Sequence, residues 1–175
     1  AIGVFCIVIC QSSTANISFK EFGERECASV DWRLMYAIAL QESGKYKQTS
    51  GSISANAYTF NSPDGSRYLE SYDEAVVYFN DLVKRYRPWE IDVGPWQLNL
   101  KWNKHRIDDL SELLKPSVNL RIACEVVLEA VNSTDDIELG IGRYHSWDAT
   151  EVKSRSYGEK VIKKWKAITS YYENE

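Results

Sequence analysis

The stretch "YAIALQESG", Tyr36 to Gly44, decides how this chain is read. From Leu34 to Leu40 there is no charge. Glu42 then arrives in what reads as the last turn of a helix, followed by Ser43 and Gly44. A glycine at that point predicts a left-handed stop just past the helix end. Glu42 therefore falls where the helix macrodipole is negative and a carboxylate is disfavoured. It also lies on the line Met35, Ile38, Ala39, Glu42, the spacing of one helix face. That face is apolar. Desolvation and the negative helix end both favour the neutral acid, which is what a proton donor working near neutral pH requires. The plainer reading is a helix-end carboxylate paired with Lys45 or Lys47.

Outward from this helix, punctuation marks divide the chain. "SFKE", Ser18 to Glu21, is a capping box and predicts a short helix to about Ala28. Asp31 caps the helix that carries Glu42. Lys45 to Asn56 is polar and reads as loop. "AYTFNSPDGSRYLES", from Ala57, places aromatics on both sides of a Pro-Asp-Gly turn and predicts a hairpin. "SYDE", Ser71 to Glu74, is a second capping box, opening a helix with the face Ala75, Phe79, Leu82, Val83 and Tyr86. Pro88 ends it. A short helix at Asp109 to Leu114 leads to Pro116, a first-turn proline, and a helix to about Val131. Two more helices cover Ile137 to Tyr144 and about Asp148 to Tyr172, the last with Val161, Trp165, Ile168 and Tyr172 facing in. The fold class expected is mainly α, with a small inserted β-hairpin.

The length of 175 residues suits one domain with a proper core. With 21 basic against 25 acidic residues, nothing points to nucleic acid. Six Trp and eleven Tyr serve a core, or a groove for an amphipathic ligand such as a sugar chain. The opening "AIGVFCIVIC" is apolar but too short to span a membrane as a helix. "QSSTAN" follows, and Ser13 and Ala15 give the small-x-small pattern of a signal cleavage site. Residues 1–15 read as the tail of a secretory signal and residues 16–175 as the mature domain, exported to the periplasm. Cys10 does not sit in a lipobox, because Ile9 occupies a position that wants a small residue. Cys27 and Cys124 remain. Export permits a disulfide between them. A buried thiol is the alternative, since Cys124 shares an apolar helix face with Leu120, Val127 and Val131.

The second informative stretch is Asp92 to Trp102, "DVGPWQLNLKW". It reads as a loop entering a short helix. Gly94 and Pro95 shape the turn, and Gln97 and Asn99 put amides beside Trp and Leu, as recognition of a polyol or N-acetyl sugar needs. Together with Glu42, this resembles the lytic transglycosylases of the goose-type-lysozyme-like superfamily. Their signature is Glu-Ser ending an apolar helix, then Gly-x-x-Gln-(Ile/Leu)-Asn, then Ala-x-x-Tyr-Asn. Here stand Glu42 and Ser43, then Gly94, Gln97, Leu98 and Asn99 with Trp102 after them, then Tyr144. "PSVN", Pro116 to Asn119, matches the family's Pro-x-x-Asn helix start. The resemblance spans about Cys27 to Tyr157. It is nearest to the branch of conjugative elements and type IV secretion, with "AYTFN…DG", "IDVG…Q…N", "HR" and "GRYH". Three departures stand out: Trp96 replaces the usual Met, His145 the usual Asn, and the gap after Glu42 is longer.

The resemblance implies a lysozyme-like helical domain that cuts the β-1,4 bond from N-acetylmuramic acid to N-acetylglucosamine in peptidoglycan. Glu42 is the expected catalytic residue, first acid and then base, and the product a 1,6-anhydro sugar. No second carboxylate is then needed, unlike the two-acid hydrolases. Tyr144 is expected beside Glu42, orienting it or supporting charge. Gln97 and Asn99 would hold the substrate or its loop, and Ser43 and His145 are further candidates for substrate binding or catalytic support. Trp96, Trp102 and Trp147 are candidate stacking surfaces, with the core as the default place for each. No cofactor or metal is implied, since His105 and His145 are not in ligand spacing. Partners would be glycan strands and components of a conjugation or type IV secretion machine. Two alternatives differ in class: a hydrolytic muramidase with Asp92 as second carboxylate, and a glycan-binding adaptor. The segment Ala57 to Tyr86 is expected to wall the groove, with Tyr58 and Phe60 on the domain and Tyr68 and the tip Asp64 to Arg67 toward sugar.

Overall fold

A computed structural model describes residues 18–47 and 52–174. The signal-like residues 1–15 lie outside them. Ser18 closes its capping box with Glu21 and starts α1 (Phe19–Glu26). Asp31 caps α2 (Trp32–Ser43) by accepting from the Arg33 N–H. This helix forms the centre of the molecule. Met35, Ala37, Ile38 and Ala39 are wholly buried, because α1, α7 and the first hairpin pack around it.

The first hairpin corrects the sequence reading. Where a loop was expected, β1 (Gly44–Lys47) pairs antiparallel with β2 (Ser52–Ala55). Gly44 is not a left-handed stop either. It is extended, with φ −63° and ψ 122°, because the chain passes from helix directly into strand. The stretch is polar, so no hydrophobic alternation announces it.

The expected hairpin is present as β3 (Tyr58–Ser62) and β4 (Gly65–Leu69). It is one half of a four-stranded sheet. β5 (Asp92–Val93) and β6 (Leu98–Asn99) extend it in the order β4-β3-β5-β6. A lone hairpin is marginal in water, and this pairing removes its exposed edge on one side. Tyr58 and Phe60 lie edge-on to Tyr72 and Tyr78 of α3 (Tyr72–Arg85), so their shared face docks on the domain as alternation requires. Half of the second capping box forms: Ser71 accepts from the Glu74 N–H, but the Glu74 carboxylate takes the Glu70 N–H. Ala75, Phe79 and Leu82 face inward as expected, whereas Val83 is exposed. At the hairpin tip, Asp64 pairs with Arg85 and accepts from the Tyr86 hydroxyl, which ties the tip back to α3.

A 3-10 turn (Pro88–Glu90) precedes β5, and α4 (Leu100–Asn103) follows β6. A second 3-10 turn (Leu110–Leu114) leads into α5 (Pro116–Asn132). Then come α6 (Ile137–His145) and α7 (Glu151–Glu173). The described chain is mainly α, with two small antiparallel sheets. Cys27, at the end of α1, and Cys124, on α5, are joined by a disulfide with Cα atoms 5.8 Å apart. The α6–α7 contact is very close. A Cβ on Gly142 would lie 2.1 Å from the Ser154 carbonyl oxygen, and one on Gly158 2.0 Å from that of Glu138. Only glycine lets these two backbones meet at that distance.

Candidate active site

α2 delivers Glu42 into a cleft of about 730 Å³ between the four-stranded sheet and the α4, α5 and α6 side. The Glu42 side chain is 13 % exposed. Neither Lys45 nor another lysine partners it among the described residues. Its Oε1 accepts from the Tyr157 hydroxyl of α7, and the His145 Nδ1 of α6 lies 3.5 Å from the same oxygen. The rings of His145 and Tyr157 stack, 4.7 Å between centroids and 10° between planes. The hydrogen bond to Glu42 raises the His145 pKa, with burial opposing it. Burial pushes the Tyr157 phenol well above its ordinary pKa, with the Glu42 charge adding to this. Tyr157 was missed in the sequence. Its signal was present, since it lies four residues before Val161 on the inward line of α7.

Opposite stands the segment from β5 to β6. Gly94 adopts φ 84°, and a Cβ there would fall 2.3 Å from the Asn119 side-chain nitrogen. Asn119, wholly buried in α5, donates to the Val93 and Leu113 carbonyls and accepts from the Trp96 N–H. A glycine at 94 and an asparagine at 119 are thus two halves of one contact. Gln97 itself has φ 49°, and its side chain donates to the Thr59 and Gly94 carbonyls. Its amide shapes the loop while lining the cleft. Trp96 is 1 % exposed and donates its indole N–H to the Met35 carbonyl, clamping this loop onto the helix that bears Glu42. Trp96 is therefore floor, not stacking platform.

Asp92 lines the same cleft. Asn99 donates to its Oδ1 at 2.8 Å and Asn61 to its Oδ2 at 3.4 Å. Burial raises the Asp92 pKa; these amide bonds work against that and the nearby Glu42 charge works with it. Asn99 is fully occupied: it also caps α4 through the Lys101 N–H and donates to the Trp89 carbonyl. Tyr144 reaches the cleft, but its hydroxyl donates to the Trp96 carbonyl at 2.6 Å. Holding Glu42 falls to Tyr157 instead. Desolvation raises the Tyr144 pKa well above the ordinary value, with the Glu42 and Asp92 charges adding to this.

Ser43 departs from expectation. It is wholly buried, bonds the Ala39 carbonyl one turn back, and does not line the cleft. Trp102 and Trp147 depart the other way. Both line the cleft and are 61 % and 54 % exposed, so neither takes the core place that is the default for an indole. The Lys101 ammonium lies 4.1 Å from the Trp102 ring. On the hairpin, strand register puts Asn61 and Ser66 on the cleft face and Arg67 on the face of Phe60. Arg67 thereby faces away from the cleft, while Ser66 of the expected tip lines it and Asn61 joins it. Among the described residues no group of three or more His, Cys, Asp or Glu is placed to hold a metal ion, and no helix is long and apolar enough to cross a membrane. Compared with known protein families, with curated proteins and with solved structures, the chain finds no match in any of the three.

Proposed function

We propose that this chain is a peptidoglycan lytic transglycosylase with a lysozyme-like fold, exported to the periplasm to open the wall for a conjugation or secretion machine. The observation that carries the reading is one carboxyl group, Glu42, held by Tyr157 at the mouth of a helix in a cleft lined with amides and exposed indoles. Such a lining suits a hydroxyl- and acetamide-bearing chain. In the proposed reaction Glu42 gives its proton to the glycosidic oxygen as the bond from the anomeric carbon breaks. The resulting carboxylate takes the proton of the sugar's own 6-hydroxyl, and that oxygen closes on the anomeric carbon. The nucleophile belongs to the substrate, so the site needs one carboxyl group.

The presence of Asp92 in the same cleft favours a second reading, a hydrolytic muramidase with Asp92 as base or nucleophile. Two features weigh against it. Both Asp92 oxygens are engaged by asparagine amides, and burial disfavours the ionised form that either role requires. Mass spectrometry of digested peptidoglycan separates the two. Anhydromuramoyl ends are expected; reducing ends would replace the lyase reading by the hydrolase one, and intact glycan would leave an adaptor.

A further inference from the structure

A second cleft, of about 700 Å³, opens on the other side of Glu42. Glu42, His145, Ser146 and Asp148 line both clefts, so the two arms meet at the candidate acid. The arms differ in chemistry. The first is lined by amides and indoles, together with Asp92 and the paired Arg106 and Glu129. The second runs along α7 and is lined by Lys153, Ser156, Tyr157 and Lys160, with Gln41 and Thr150 facing them. Lys153, Ser156, Tyr157, Lys160 and Lys164 follow the spacing of a single helix face. Two lysines thus flank the phenol that holds Glu42, and a third stands one turn beyond.

This positive face stands on a chain whose net charge is −4. Two acids, Glu42 and Asp148, stand where the two arms meet, and three more near the face are held by an arginine. Arg155 takes Asp136, Glu138 and Glu151. Lys164 reaches a neutral partner, the Gln41 amide oxygen, at 2.7 Å. Its pKa is lowered by burial and by the charges of Lys160 and Lys163. A solvated lysine face is ordinary on an exposed helix. One that borders a cleft, continues the substrate arm and crowds its own charges has stored attraction for an anion.

Resting on the proposed function, we infer that this second arm binds the acidic stem peptide carried by the muramoyl sugar whose bond is cut. The peptide branches from the sugar placed at Glu42, and its free carboxylates match Lys153 and Lys160 in sign. The chain would therefore select peptide-bearing glycan over naked glycan.

The test uses binding rather than turnover. Sacculi are fixed to beads through their glycan, half are freed of their stem peptides by an amidase, and Glu42→Gln protein is sedimented with each. Intact sacculi are expected to capture it about tenfold better, in line with a few complementary charges at close range. Adding Lys153→Glu and Lys160→Glu is expected to erase that preference with an unchanged melting temperature, since both side chains are exposed. Adding Lys166→Glu, also exposed on α7 but outside the cleft, is expected to retain it. Equal capture by the two kinds of sacculi overturns the inference. So does a preference that survives the double reversal, one that Lys166→Glu erases equally, or a protein that sediments with neither. If the preference holds but wild-type protein releases no anhydro ends, the lyase reading fails and the anionic-peptide arm stands.

Discussion

Glu42 is reached by two groups that differ in what they can do. Tyr157 stays neutral across the working range and donates a fixed hydrogen bond. His145 can gain a proton, and the bond to Glu42 raises its pKa. Replacing Glu42 by Gln keeps the shape and removes the proton, and is expected to lower lysis by about 10²–10⁴-fold with the circular dichroism unaltered. A variant keeping a tenth of wild-type activity would end the assignment. Tyr157→Phe tests positioning. A bond to a charged group contributes about 1.5–3 kcal/mol, so kcat is expected to fall by about tenfold or more while KM holds. A change in KM alone would make Tyr157 a wall of the groove. His145 gives a pH signature. Its pKa in the folded chain lies above the unfolded value near 6.5, so its stabilisation is complete below that value and is lost as pH rises through the folded pKa. The melting-temperature gap between wild type and His145→Asn is expected to widen from about pH 8 to about pH 6. A gap independent of pH would show that the imidazole does not pair with Glu42.

At the scale of elements, the site depends on how closely α6 and α7 approach. His145 comes from one and Tyr157 from the other, and they stack only because Gly142 and Gly158 leave room for backbone. Gly158→Ala puts a methyl group against the Glu138 carbonyl, where neither side can yield cheaply. We expect a loss of at least about 2–3 kcal/mol in denaturant unfolding, from overpacking. A neutral result would mean that α7 slides, and the pair with Glu42 would then be lost, visible as reduced lysis. The strands teach a related lesson. β5 and β6 are two residues each, too short for an alternating pattern to announce them. Their pairing nevertheless aligns Asn61, Asp92 and Asn99 in one row.

At the scale of the whole molecule, the Cys27–Cys124 bond spans 97 residues and closes a loop that includes Glu42, both sheets and the Gly94–Gln97 turn. In the chain-entropy account, closing such a loop stabilises by about 4–5 kcal/mol. The Cys27→Ser, Cys124→Ser pair is expected to unfold at lower denaturant by that order. Free-thiol titration of unfolded, unreduced protein is expected to find neither cysteine reactive; two reactive thiols from this pair would refute the bond.

Much of the architecture was legible because it is local. Caps at Ser18, Asp31 and Ser71, the prolines at 88 and 116, and the 3.6-residue spacing of α2, α3 and α7 are all short-range effects. The same locality made Glu42 stand out, since an acid on an apolar face is visible within one helix. What the sequence alone could not decide was which groups meet across the fold. Tyr144 and Tyr157 both lie on helices near the acid, and only packing shows that one bonds the Trp96 carbonyl and the other Glu42. Ser43 follows the acid in the chain but turns into the core, because adjacent helical residues face different directions. Trp96 and Trp102 are six positions apart, yet one is floor and the other rim. The cysteine pairing, too, was open between bond and buried thiol until α1 and α5 were brought together. Those choices depend on contacts between residues far apart in sequence, and no local spacing encodes them.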